Sequence, residues 1–460
     1  MDKLNYPFSK LSLFLLIIWP SILWGQKNLN GLVIHPENPY FLFYKKRFIV
    51  SLANNNHGAP LNIMAAHKIN HYEITHPWID GKAPMLAGNR FPVDGNIVFN
   101  QDYFDGLKQE ISQAQDLGIA VTIVLFVGPA FESDRTPGSR FGQNPWNACL
   151  GGPIDIGECP FQKNGTKSSG GLKQFLTLES YDYTQPLTRK YQSYDRNWPL
   201  ARKVQYRQEE IINKLMGELG HLDNWMINIM WEIDDQTQGD WQKAKDWANW
   251  IAGYIHYNFD PNRLVFTGEV SVSTELETRF NADFYADIAS NINGSQHEGI
   301  VSWGPGPYEN LKAIGNNNNG KPKIIIGYDP WNCNGEISDK LCLSGSGCLG
   351  ADKIINFIRA ALLTKHGAHP STPFHFVQCQ KGQEKILAYI KALQDFLETV
   401  DSWHNEPGDE IRDSTLPRAD DFSFTDLPDG DGRRGWPRYE NGNDTLPPSA
   451  PKGVSVEQKD

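Results

Sequence analysis

Hydrophobic positions along this chain fall into two alternating patterns. Short unbroken apolar runs of strand length stand between longer stretches whose apolar residues recur every three or four positions. The runs Arg47 to Leu52, Leu61 to Ala66, Ile119 to Val127, Trp225 to Ile233, Leu264 to Thr267, Phe284 to Ala289, Lys323 to Gly327 and Pro373 to Val377 predict strands. Tyr103 to Leu117, Tyr206 to Leu219, Trp241 to Tyr257, Ala351 to Thr364 and Glu384 to Val400 predict helices. Strands that alternate with helices imply a parallel sheet, and about eight of them over this length imply an α/β fold of the (β/α)8 TIM-barrel type. Only Ala53 to Pro60 separates the first two predicted strands, whereas a βαβ crossover takes at least ~10 residues. Either the first crossover helix is shortened or missing, or the second strand lies elsewhere.

The regions outside this pattern differ in composition. From Gly128 to about Pro199 the chain is rich in Gly, Pro, Asn and Ser, and reads as a long insert after the third strand. Lys3 and Lys10 precede the apolar run Leu11 to Trp24, broken by Pro20. That pattern predicts a signal peptide over residues 1–25 and a secreted chain, extracellular or periplasmic, rather than a membrane span. The barrel then occupies 26–404. Residues 405–460 form an Asp-, Pro- and Gly-rich extension that cannot build a core. Asp429-Gly-Asp-Gly432 lacks the rest of a calcium loop and reads as a turn-rich linker.

Charge and composition narrow the partners. A formal net charge of -11 and no long Lys or Arg run exclude a nucleic-acid surface. Fourteen tryptophans suit stacking on sugar rings but equally suit a core. Cys149, Cys159, Cys333, Cys342, Cys348 and Cys379 allow disulfides in an exported chain, with Cys149–Cys159 and Cys342–Cys348 as local loops, or remain buried thiols. His67, His76, His366 and His369 show no ligand spacing, and no phosphate loop, nucleotide fingerprint or nucleophile elbow occurs. No metal and no cofactor are expected.

Parallel barrels place chemistry at the C-terminal ends of their strands. Here those ends carry acids. Trp225-Met-Ile-Asn-Ile-Met-Trp-Glu-Ile-Asp-Asp-Gln236 runs from apolar residues into Asp234, Asp235 and Gln236; Glu269 follows the fifth strand; Asp329 follows the seventh; Glu132, Asp134 and Arg135 follow the third. Glu232 lies inside its strand, and period-two alternation puts it on one face with Asp234 and Gln236. Crowded carboxyls in a dry cleft keep one of them protonated, and an acid paired with a nucleophile or base is what glycoside hydrolysis requires. Trp146, Trp231, Trp303 and Trp331, near strand ends or in mouth-forming loops, are either sugar platforms or core.

Several segments resemble, in order, secreted glycosidase-like barrels of glycoside hydrolase clan A, especially the apiosidase-like group. They are Pro77-Trp78, Phe91-Pro-Val-Asp-Gly95, Phe99-Asn-Gln-Asp-Tyr-Phe-Asp105, Ala114 to Phe126, Asn144-Pro-Trp-Asn147, Tyr206-Arg-Gln-Glu209, His221-Leu-Asp-Asn-Trp225 and Gly320 to Ile326. The resemblance spans roughly Leu32 to Trp403 and implies the barrel and a polysaccharide or oligosaccharide partner. In the family strand four ends Tyr-Glu-Ile-x-Asn-Glu, with the final Glu as acid/base. In this chain Glu232 matches the inner Glu, Asp235 stands where Asn is expected and Gln236 where the catalytic Glu is expected. Of the Asp-Thr-Asp-His often found on strand seven, Asp329 alone matches.

Three readings follow. The chain is a hydrolase with relocated acids, Asp235 or Glu269 as proton donor and Asp329 as nucleophile or base, with Glu232, Gln236, Trp331, Trp303 and Trp146 lining the substrate. Or it is an inactive barrel that binds glycans. Or it is a surface protein that keeps only the fold.

Overall fold

The computed structural model describes residues 31–34, 42–45, 47–49, 54–55, 61–74, 83–131, 141–155, 170–231, 241–271, 284–288, 323–326, 355, 358–359, 362, 367–369, 380–399 and 417–418. Three short strands come first, β1 (Val33–Ile34), β2 (Leu42–Tyr44) and β3 (Arg47–Phe48), and pair antiparallel in that order. Eight further strands then pair side by side, all parallel, in the order of the chain. They are β4 (Asn54–Asn55), β5 (His71–Ile74), β6 (Ala120–Val127), β7 (Trp225–Trp231), β8 (Val265–Ser271), β9 (Phe284–Ile288), β10 (Lys323–Ile326) and β11 (Gly367–His369). The connecting helices are α1 (Leu61–Ala66), α2 (Gln101–Asp116), α3 (Gly170–Phe175), α4 (Leu187–Lys190), α5 (Leu200–Leu219) and α6 (Trp241–Asn258), and α7 (Gln380–Thr399) follows the last strand. Residues 355, 358, 359 and 362, within the predicted helix Ala351 to Thr364, are helical as well.

The start of the sheet corrects the sequence reading. Leu61 to Ala66 is helix α1, not a strand, and Arg47–Phe48 belongs to the antiparallel sheet. The parallel strands are Asn54–Asn55 and His71–Ile74, so the first crossover helix is present, with six residues. The reason is chemical. The segment His71-Tyr-Glu-Ile74 carries a polar residue at every second position on one face, so a search for apolar runs passes over it. The last paired strand is Gly367–His369. The predicted run Pro373 to Val377 lies outside the described residues.

Local sequence explains the middle of the sheet. In α2 the buried residues Phe104, Leu107, Ile111 and Ala114 recur at helical spacing. Gly118, at φ 73°, turns the chain out of the helix, and Ala120 opens β6 two residues on. All eight residues of β6 are buried, as expected of a strand covered on both faces. On one face Tyr72, Ile74, Val121, Ile123, Ile227, Ile229 and Val265 join helix residues such as Phe104, Ile211 and Ile251 in the main core. On the other, Ala120, Met226 and Phe266, near the strand starts, pack against Leu32, Leu42, Tyr44 and Ile49. The small antiparallel sheet therefore covers the N-terminal end of the parallel one. Leu32 N–H donates to the Asp223 carbonyl just before β7 and fixes that cover in place.

Candidate functional site

With the N-terminal end covered, the C-terminal ends of the parallel strands are the open end, and the residues singled out in the sequence fall there. Glu232, Asp235 and Gln236 follow β7, Trp303 falls between β9 and β10, and Asp329 and Trp331 follow β10; all six lie outside the described residues. Glu269 lies within β8 rather than beyond its end. The ladder shifts there. Thr267 pairs with Tyr285 and Val270 with Asp287, so Gly268 and Glu269 together stand opposite Ala286. Such bulges bend a strand and re-aim its residues, often beside active sites.

Trp146 takes the core placement of the two that the sequence leaves open. It is fully buried, and its ring meets Phe175 edge-on at 4.8 Å and Phe91 at 4.9 Å, with Phe126 and Phe131 a little farther off. The loop that carries it is tied by its own amides. Asn144 Nδ2 donates to the Ala130 carbonyl, and Asn147 Oδ1 accepts from Cys149 N–H. Cys149 is disulfide-bonded, which settles its state in favour of a bridge; Cys159 lies outside the described residues.

The segments that carry the family resemblance serve as anchors. Tyr206 Oη donates to Asn96, and Arg207 donates to the carbonyls of Pro92 and Gly95 and pairs with Glu210 at 2.8 Å. Gln208 donates to the Phe175 carbonyl and accepts from Trp247 Nε1. Glu209 accepts from both the backbone and the hydroxyl of Thr188 at the start of α4. Burial raises the pKa of Glu209 and Glu210, and these bonds work against it. Each of the four holds part of the segments around 91–97 and 175–188 against α5.

A polar layer on the face away from the helices is what the sequence reading missed. Glu73 of β5 is buried, with Oε2 accepting from Asn228 Nδ2 of β7 at 3.5 Å and Oε1 without a partner among the described residues. Two positions back, His71 Nε2 shares a hydrogen bond with Thr122 Oγ1 of β6 at 2.7 Å. Burial lifts the Glu73 pKa from 4.5 to about 8, against the smaller pull of the Asn228 amide. At neutral pH this carboxyl therefore keeps its proton. The signal was available in the alternation of His71 and Glu73 with Tyr72 and Ile74, once the strand is placed there.

Among the described residues no cluster of three or more His, Cys, Asp or Glu could hold a metal ion. No helix among them is long and apolar enough to cross a membrane.

No family model matches the chain, and no curated protein does. Solved structures similar to it include a glycoside hydrolase family 5 protein from Bacteroides vulgatus, at 12% identity and TM-score 0.43, over 78% of this chain and 64% of that one. The chain thus spans less than two thirds of that protein. Others are the β-mannanase of the blue mussel Mytilus edulis, at 11% identity and TM-score 0.44, over 80% and 98%, and a glycoside hydrolase family 5 mannosidase from Rhizomucor miehei, at 11% and 0.45, over 75% and 86%. With TM-scores below 0.5, the functional reading rests on the residues of this chain.

Proposed function

We propose that the eight parallel strands close into a (β/α)8 barrel and that the protein is a secreted glycoside hydrolase acting on polysaccharide or oligosaccharide. In this reading Asp329 is the nucleophile or base, and Asp235 or Glu269 donates the proton to the leaving oxygen. Glu232, Gln236, Trp303 and Trp331 line the substrate cleft. The barrel occupies 26–404, behind a signal peptide over 1–25 and ahead of the extension 405–460.

One observation carries the reading: parallel strands stand in chain order, and three of them, β7, β8 and β10, run into or carry acids at their C-terminal portions. Closure is supported by the contact between Glu73 and Asn228. Their strands are separated by β6, about 10 Å apart in a flat sheet, and a curved sheet leans such side chains together. Export is supported by the bridged Cys149, because disulfides persist in oxidising compartments.

A second reading is a barrel that binds glycans without cleaving them. Gln236 favours it, since an amide has no titratable proton to give. Purified protein incubated with plant, algal and host glycans tests both. Release of reducing ends supports the hydrolase. Binding without release supports the second reading. A protein that neither binds nor cleaves any of them leaves only a structural role.

A further inference from the structure

The two ends of the parallel sheet meet through side chains. The paired order runs from β4 to β11, and a flat sheet of that many strands, spaced about 4.8 Å apart, would hold its edge strands roughly 33 Å from each other. Helix α1 follows β4, and α7 follows β11. Yet Lys68, two residues beyond α1, pairs with Asp395 at 2.5 Å and with Glu398 at 2.7 Å, both on α7. Arg47 of β3 pairs with the same Glu398 at 3.1 Å. Gln394 Nε2 of α7 donates to the Phe48 carbonyl at 3.1 Å, and Asn70 Nδ2 reaches that carbonyl too.

Charge explains why these partners come from so far along the chain. Asp395 and Glu398 stand about one turn apart near the C-terminal end of α7, where the helix dipole is negative. The last turn of α7 holds no basic residue of its own. Two acids there repel each other and the carbonyl end, so the neutralising cations come from outside the helix. Hydrogen bonds to Asp395 and Glu398 raise the Lys68 pKa and hold its charge. Beneath this layer Leu387, Ile390, Leu393 and Leu397 recur at helical spacing and share the main core with Phe48, Met64 and Ile69. The ionic side chains are themselves partly exposed. Salt screens such pairs, whereas it does not weaken the apolar contact below them.

We propose that α7 is a strap across the seam between the first and last parallel strands, fastened by an ionic clasp of Arg47, Lys68, Asp395 and Glu398. The clasp releases as ionic strength rises, while the rest of the fold stays shut. Lys68 is shared between two acids and Glu398 between two bases, so the pairs form one network and loosen together. The strap deepens the barrel reading and rests on it for the closed seam; it is independent of any activity on glycans.

The test is hydrogen exchange of the full chain, read on α7 and on α2 in ~0.02 M and ~1 M NaCl, joined to a crystal structure. The α7 amides should exchange ~3–10-fold faster at the higher salt while α2 keeps its rate, and in Lys68→Met and Glu398→Gln they should already be fast at low salt and indifferent to the addition. Equal α7 rates in the two salts, an acceleration that α2 shares, or a salt response that survives in both variants overturns the clasp. A closed ring of strands in the crystal, with α7 indifferent to salt, removes the clasp alone and leaves the barrel reading standing. A crystal in which the first and last strands lie apart, with α7 away from Lys68, removes both.

Discussion

The Arg263 guanidinium stands over the Trp225 ring, 4.4 Å from its centroid, and its Nη1 donates to the Trp225 carbonyl at 2.8 Å. Its Nη2 donates to the carbonyls of Gly220 and Leu222, which lie where α5 has ended and β7 has not begun. The side chain is buried and pairs with Asp260 at 3.2 Å. Burial lowers its pKa and the Asp260 carboxylate works against that. One planar fork thus ties the helix cap, the connection and the first residue of the strand together, satisfying the Gly220 carbonyl beyond the end of α5, and it locks the start of the central strand.

This arrangement sets a first prediction. Arg263→Lys keeps the charge but offers a point where a fork is required. It should cost ~2–4 kcal/mol of unfolding free energy in urea, because buried carbonyls lose donors while a buried charge loses its fit. A loss under ~0.5 kcal/mol would show that water can replace the fork.

Glu73 makes stability depend on pH in the direction opposite to a salt-bridged acid. Its folded pKa of about 8 lies above the ordinary 4.5. Between these values the folded chain holds a proton that the unfolded chain has released, so this group's contribution is full below ~4.5 and is lost as pH rises through ~8. Every pH unit that separates the two values corresponds to about 1.4 kcal/mol, which makes the whole contribution a few kcal/mol. Glu73→Gln carries no titrating proton. Unfolding free energies measured from about pH 5 to about pH 8 should fall more steeply for the wild type than for the variant. Parallel profiles would mean that Glu73 is already ionised in the fold.

The same residue marks where the sequence was legible and where it was not. Ile119 to Val127, Trp225 to Ile233 and Lys323 to Gly327 are apolar runs of strand length, and their positions were readable to within a residue or two; the full burial of β6 shows why such a run stays apolar. His71-Tyr-Glu-Ile74 was not, because its inward face is polar and hydrogen-bonded. Leu61 to Ala66 was mistaken because six apolar-rich residues suit a buried strand and a short helix equally. At the site, Trp146 was readable only as an aromatic with two possible settings. Which one it takes depends on Phe91, Phe126, Phe131 and Phe175, four partners from separate parts of the chain.

The loop holding Trp146 has a sharper sensitivity. A Cβ on Gly152 would overlap the Pro145 carbonyl oxygen and the Trp146 carbonyl carbon. These are backbone atoms and cannot rotate away. Gly152→Ala should therefore cost more than ~2 kcal/mol and shift the tryptophan fluorescence as Trp146 loosens from Phe175. An alanine variant with wild-type stability and spectrum would mean that the loop turns by another route.

The strand-end acids give the last test, and it separates a working cleft from a relic. In the sequence Asp329 follows an apolar strand, β10, by three residues, and an acid there has no use unless it meets water or a partner. Asp329→Asn keeps its size and removes its charge. If it attacks the sugar or activates water, turnover should fall ~10²–10⁴-fold while the melting temperature hardly moves. Equal rates would remove it from the mechanism. Gln236→Glu makes the converse change, returning a titratable proton to the position where the resembling family keeps its acid. In a cleft whose geometry survives, that single oxygen should raise the rate or create one, with a pH profile that reports the new acid. No gain in a stable variant would mean that position 236 takes no part in the chemistry, and that any cleavage runs through Asp235 or Glu269 instead.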